Sequence, residues 1–326
     1  MKQLSAVVLF ACWPLLVPSE AAPIELKQTI PLPGVEGRFD HFDIAPKAQR
    51  LFVAALGNNT LEVVDLTAGK RVQSTTGLHK PQGILFLAEF NRLLVANGED
   101  GTLQIFNAST LKPVKAIPSL SDADNVRYNP NSSLVYVGYG DGALAIIDPK
   151  QEKKIGEIKL RGHPESFQLE QNGNRIFVNV PDAKQIAVLD REMRAVSTTW
   201  PMEKFQANFP MALDEGNHRL FVGCRKPARL VVFDTEAGKP VADYAISGDT
   251  DDLFFDAKRK RIYAICGEGS VDVLEQASPD QYKPRQKAAT ALGARTGFFS
   301  TDQDTLFVAV PHRGDQRAEI RIFKCE

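Results

Sequence analysis

One phrase recurs seven times along the chain: a short apolar segment, opened in most copies by arginine and reading Leu-Phe-Val or a near variant. The copies are Arg50-Leu51-Phe52-Val53, Arg92-Leu93-Leu94-Val95, Leu134-Val135-Tyr136-Val137, Arg175-Ile176-Phe177-Val178, Arg219-Leu220-Phe221-Val222, Arg261-Ile262-Tyr263-Ala264 and Thr305-Leu306-Phe307-Val308. Taking the second residue of each as a marker gives positions 51, 93, 135, 176, 220, 262 and 306, hence steps of 42, 42, 41, 44, 42 and 44. A period this regular means one supersecondary unit repeated in tandem. A length of 326 residues would otherwise point to about two domains; the repeat overrides that expectation.

Each unit carries further segments with strand periodicity. One precedes the marker, as in Phe42-Asp43-Ile44 or Leu253-Phe254-Phe255, and one follows it, as in Leu61 to Asp65 or Leu230 to Asp234. Turn residues separate the last two, as in Gly57-Asn58-Asn59, Asp141-Gly142 and Glu268-Gly269, which is hairpin chemistry. A fourth strand follows, for example Arg71-Val72-Gln73-Ser74. Four antiparallel strands in each of seven units describe an all-β, seven-bladed propeller. The seventh unit stops after its third strand at Glu326, while a spare strand, Ile24 to Ile30, precedes the first. If that strand completes the last blade, the ring closes without an open edge.

With these repeats the chain resembles the YVTN-family β-propeller repeat proteins, Leu94-Val95-Ala96-Asn97 being the nearest copy of the tetrapeptide. The resemblance covers residues 24 to 326 and implies an exported, bacterial-type seven-bladed propeller. It implies little about activity, because propellers host many functions. Only Trp200 remains outside the N-terminal segment, so the tryptophan signatures of other propeller classes are missing. Five histidines are too few for a multi-histidine copper cluster.

The first residues read as a targeting segment. Lys2 is followed by an apolar stretch from Ala6 to Leu16 and by Ser19-Glu20-Ala21, a small-x-small cleavage pattern. We expect residues 1–21 to be a cleaved signal peptide, residues 22–326 a single propeller domain, and the mature protein to be periplasmic or extracellular. No segment is long and apolar enough to predict a transmembrane helix. A net charge of −1 gives no basic field for nucleic acid or anionic lipid, and a monomer is expected. Beyond residue 21 lie Cys224, Cys266 and Cys325; an odd number is no disulfide framework. Cys224 and Cys266 occupy equivalent positions in neighbouring units, so a bridge between them and buried free thiols are both open.

Propellers line their central channel with the first strand of each blade. Eleven residues before each marker stand Asp40, Gln82, Asp124, Glu165, Phe209, Asp251 and Arg295. That column, at one mouth of the channel, is polar in six blades and acidic in four. His41, Asn125, His163, Asn208 and Asp252 lie beside it. We take these residues as the candidate ligand-binding set, with His41, His163 and Glu165 as candidate general acid or base groups. Asp40, Asp124, Glu165 and Asp251 are candidate metal ligands; oxygen donors favour calcium or magnesium, and histidine admits zinc or manganese. No other cofactor is indicated. Arg225, His312 and Arg313 add cations to the same face.

Two functions compete. One is an exported binding or scaffolding protein that holds a small polar ligand or a protein partner at the channel mouth. It rests on the lack of a Gly-x-Ser-x-Gly elbow, a His-Glu-x-x-His motif or a phosphate loop. The other is a metal-assisted, lactonase-type hydrolase working at the same mouth, supported by the acidic column alone.

Overall fold

The computed structural model describes residues 22–326, so the expected signal peptide lies outside the described residues. Seven four-stranded antiparallel sheets follow one another around a ring. Blade 1 runs Phe42–Ala45, Arg50–Ala55, Thr60–Asp65 and Lys70–Thr75 from the axis outwards. The innermost strands of blades 2 to 7 are Pro81–Leu87, Val126–Asn129, Phe167–Leu169, Gln206–Asp214, Thr250–Asp256 and Gly297–Ser300. Blade 7 takes its outer strand from the N-terminus: Ile24–Pro31 pairs antiparallel with Glu319–Cys325, from Ile24 opposite Cys325 to Pro31 opposite Glu319.

The repeated phrase is apolar on both sides because its strand is covered on both faces. Side chains alternate across a strand. In Arg50–Ala55, Leu51 and Val53 pack with Phe307 and Ile320 of blade 7, while Phe52 and Ala54 pack with Ile84, Leu93 and Val95 of blade 2. The core is accordingly seven layers, one per blade interface. Between the third and fourth strands, six blades repeat one irregularity, for example at Val63/Val64 and Val188/Leu189. Such bulges sharpen strand twist, which fans the outer strands away from the axis. The turn into the marker strand takes left-handed backbone at Gln49, Asn91, Ser133, His218, Lys260 and Asp304, so His218 sits at a structural turn.

The three cysteines are free and buried. Cys224 lies in the layer between blades 4 and 5, and Cys266 in the layer between blades 5 and 6. A full sheet separates them, which removes the bridge. Burial pushes the Cys224 thiol up to about 12 and raises the other two. Thiolate is the reactive form, so a protein spanning residues 22–326 should leave a thiol reagent unconsumed while native and consume three equivalents once denatured. Prompt labelling of the native protein would contradict this packing. Among the described residues no helix is long and apolar enough to cross a membrane.

Candidate functional site

The innermost strands begin at one end of the channel, and their first residues converge there. All seven members of the column that stands eleven residues before the markers line a single cavity of about 190 Å³. His41, Asn125, His163 and Ser166 join them, together with Arg38, Asp122 and Arg225. Asp252 reaches the same cluster through His41. Asn208 does not line this cavity: it is buried between blades, its amide donating to Asn179 Oδ1 at 2.8 Å and to the Gln185 carbonyl at 3.2 Å. It stands twelve residues before its marker, a position buried in every blade, at Phe39, Pro81, Ala123, Pro164, Asn208, Thr250 and Ala294. His312 does not line it either: it pairs with Glu36 at 2.7 Å and lines a neighbouring pocket with Arg313.

The charges divide into two groups. On one side Arg225 and Arg295 clamp Asp251, Arg225 Nη2 at 2.5 Å from Oδ1 and Arg295 Nε at 2.9 Å from Oδ2. Arg295 also meets Asp249 at 2.9 Å, and the Arg225 guanidinium lies 3.9 Å above the Phe209 ring. On the other side the His41 imidazole stands among three carboxylates. Its Nδ1 is 3.3 Å from Asp252 Oδ1; its Nε2 is 3.5 Å from Asp40 Oδ1 and 3.7 Å from Asp124 Oδ1. Asp252 is fixed in turn by the Gly297 N–H, which donates to Oδ2 at 2.8 Å. Arg38 holds Asp40 at 3.2 Å.

Burial by itself would push the His41 imidazole down, but Asp252, Asp40 and Asp124 outweigh it and raise it to about 10. His41 is therefore a cation at neutral pH. Burial, followed by the charge of Asp40, raises the Asp124 carboxyl, with His41 offsetting part of the rise. Glu165 is raised by burial and by Asp251 and Asp40. Asp251 stands at about 6, raised by burial against the pull of Arg225 and Arg295. Crowded carboxylates of this kind gain from any further positive charge that enters.

Several groups retain open hydrogen-bonding capacity. Among the described residues the Glu165 carboxylate has neither a hydrogen bond nor an ion pair within 4 Å. Asp124 has only the Asn125 amide at 3.5 Å and the imidazole. The Asn125 Oδ1 is buried with no partner. His163 Nδ1 donates to the Gly140 carbonyl at 2.8 Å, which leaves Nε2 as the open nitrogen. Gln82 is occupied, donating to the Ala123 carbonyl at 3.0 Å.

Reasoning from the sequence missed Arg38, Asp122 and Ser166. The signal for Ser166 was available: ten residues before the markers stand His41, Gly83, Asn125, Ser166, Pro210, Asp252 and Thr296, a second ring one step deeper.

No family model matches the chain, and no curated protein matches it. Solved structures do. A chain of the Kuenenia stuttgartiensis hydrazine synthase superposes with a TM-score of 0.73 at 15% identity, covering 85% of this chain and 95% of that one. A chain from a mitotic checkpoint complex superposes with a TM-score of 0.76 at 14% identity, covering 98% and 99%. Identities this low carry the fold alone. With 1757 solved chains similar to this one, the architecture does not discriminate among functions.

Proposed function

We propose that this protein is a binding protein whose channel mouth holds a small polar ligand through a positively charged group, an amine or a divalent cation. One observation carries the proposal: the acidic column converges on a single cavity in which Glu165 and Asp124 keep open acceptor oxygens. Glu165 and Asp124 supply acceptors for a cation, and Arg225 and Arg295, paired with Asp251 and Asp249, form a charge-balanced wall beside them. A segment docked by a protein partner could present the same group, as a lysine; one structural neighbour belongs to a protein complex. Export to the periplasm or beyond follows from the N-terminal segment, and kinship with the YVTN repeats from the seven copies; both are part of this proposal.

Calorimetry with Mn²⁺, Ca²⁺ and 1,4-diaminobutane tests the site. At least one should bind in a one-to-one ratio, and Glu165→Gln or Asp124→Asn should weaken it about tenfold or more, the loss of one charge-assisted hydrogen bond. Absence of binding by all three at millimolar concentration, or indifference to both substitutions, would refute the proposal.

A metal-assisted hydrolase of the lactonase type is favoured by a separate observation. Ligand atoms of Asp40, His41 and Asp124 lie within 4.8 Å of one another. Donors bound to a tetrahedral ion at catalytic distances stand about 3.4 Å apart, close to the 3.5 and 3.7 Å between Nε2 and the two carboxylates. Asp252 on the far imidazole nitrogen is the orienting partner that metal-bound histidines commonly have. A zinc or manganese ion there would act as a Lewis acid on a lactone carbonyl and lower the pKa of a bound water. Binding must displace the His41 proton, so zinc uptake should release protons and fail in acid. A chain that stays metal-free in zinc-containing buffer and opens no sugar lactone would rule the hydrolase out.

A further inference from the structure

Below His41 the channel opens into a second cavity of about 350 Å³, bounded by all seven innermost strands. His41 and Ser166 line both cavities and mark their boundary. Eight residues before the markers stand Asp43, Leu85, Arg127, Gln168, Ala212, Phe254 and Phe298. This ring is one-sided. Asp43, Arg127 and Gln168 supply the polar part of the cavity wall, and Leu85 and two half-buried phenylalanine rings the apolar part, while Ala212 is buried between blades 5 and 6. A lumen meant only to hold water has no use for open phenyl rings, whose exposure there costs the hydrophobic contribution of their burial.

Arg127 is the distinctive member. Its guanidinium is felt by Asp252, Asp124 and Asp43, from blades 6, 3 and 1, which places it near the axis. Its one hydrogen bond runs from Nη1 to the Val126 carbonyl at 2.9 Å, and among the described residues it makes no ion pair within 4 Å. Two of the three acids around it are engaged elsewhere. Asp43 accepts the backbone N–H groups of Ile44 at 2.7 Å and Phe86 at 2.6 Å. Asp252 accepts from Gly297 and faces His41. A guanidinium carries five donors in a planar fork that matches a carboxylate, so most of this fork is unused.

We propose that the channel interior is a binding compartment for a small carboxylate with an apolar body, the carboxylate on Arg127 and the body against Leu85, Phe254 and Phe298. The volume is at the lower end of small-molecule sites, about 300 to 1,000 Å³, and suits an aromatic or short aliphatic acid. The compartment stands independently of the cation site at the mouth.

Benzoate and hexanoate serve as probes, with benzamide as the neutral isostere. Both acids should bind wild-type protein in a one-to-one ratio, with benzamide about tenfold weaker or worse. Arg127→Met should weaken benzoate by about tenfold or more and leave binding of Mn²⁺ or the diamine at the mouth no weaker, since it removes a cation that Asp124 feels, so that the two sites succeed or fail separately. Leu85→Trp fills the lumen while Arg127 is retained; it should block both acids and keeps the test alive if the arginine variant does not fold. Failure of both acids to bind at millimolar concentration overturns the proposal. So does benzamide equal to benzoate, or benzoate binding unchanged in the two variants.

Discussion

A protein that begins at Pro33 instead of Ala22 will fail to form a stable ring. The strand Ile24–Pro31 is the fourth strand of the last blade. Ile24, Ile30 and Leu32 are buried in the layers that join blade 7 to blades 6 and 1. Burial of such side chains contributes about 1.5–3 kcal/mol each, about 5–9 kcal/mol for three. Total stabilities of folded domains run at about 5–15 kcal/mol. The deletion also exposes Glu319–Cys325 as an unpaired edge, a template for aggregation. We expect the shortened protein to be insoluble or to unfold tens of degrees below the full one by circular dichroism. A soluble monomer with an unchanged melting temperature would show that closure does not hold this ring together.

His41→Ala will be the most damaging single substitution at the channel mouth. It leaves Asp40, Asp124 and Asp252 around a buried vacancy, and breaking a buried charge pair from one side costs about 3–5 kcal/mol. The pH dependence identifies the cause. The imidazole stands at about 10 in the folded protein against an ordinary 6.5, so its stabilisation is complete below 6.5 and is lost as pH rises through 10. Asp251 is raised from 3.8 to about 6; its contribution is complete below 3.8 and lost as pH rises through 6. Both groups make stability fall as pH rises, each with a limiting slope of about 1.4 kcal/mol per pH unit. Denaturant unfolding should show wild-type stability declining between about pH 6.5 and 10; the raised Glu165 (about 7) and Asp124 (about 8) share its lower part, so the segment from about pH 8 to 10 is the one that His41→Ala should lose. A wild-type profile that is flat or rises over that range would exclude His41 as the cation that balances this cluster.

Much of this architecture was legible because propeller packing is written into a linear code. The strand containing Leu51, Phe52, Val53 and Ala54 must be apolar at every position, since its neighbours cover both faces. The same requirement repeats seven times. Counting back from those markers located the ring from Asp40 to Arg295, because the inner strand pairs with the marker strand in the same register in every blade, from Phe42 opposite Val53 to Gly297 opposite Val308. Asn208 lies one step outside that count, at a position buried in all seven blades, and so faces the blade interface.

The partners of the ring residues were not legible. Asp251 is an acid in the column, yet Arg225 of blade 5 and Arg295 of blade 7 neutralise it. Glu165, chemically its equal, has no cation paired with it within 4 Å among the described residues, and feels Arg225 only at longer range. His41 takes its charge from Asp252 of blade 6 and Asp124 of blade 3, and Arg127 comes near the same acids from below. Seven distant segments meet at the axis, and Coulomb interactions there depend on separations of a few ångströms. The sequence by itself determined the number of blades, the closing strand and the ring on which chemistry could sit, because burial acts on each repeat alike. Only the tertiary structure decided which of those charges are cancelled and which remain open, because that depends on which side chains the ring brings within reach of one another.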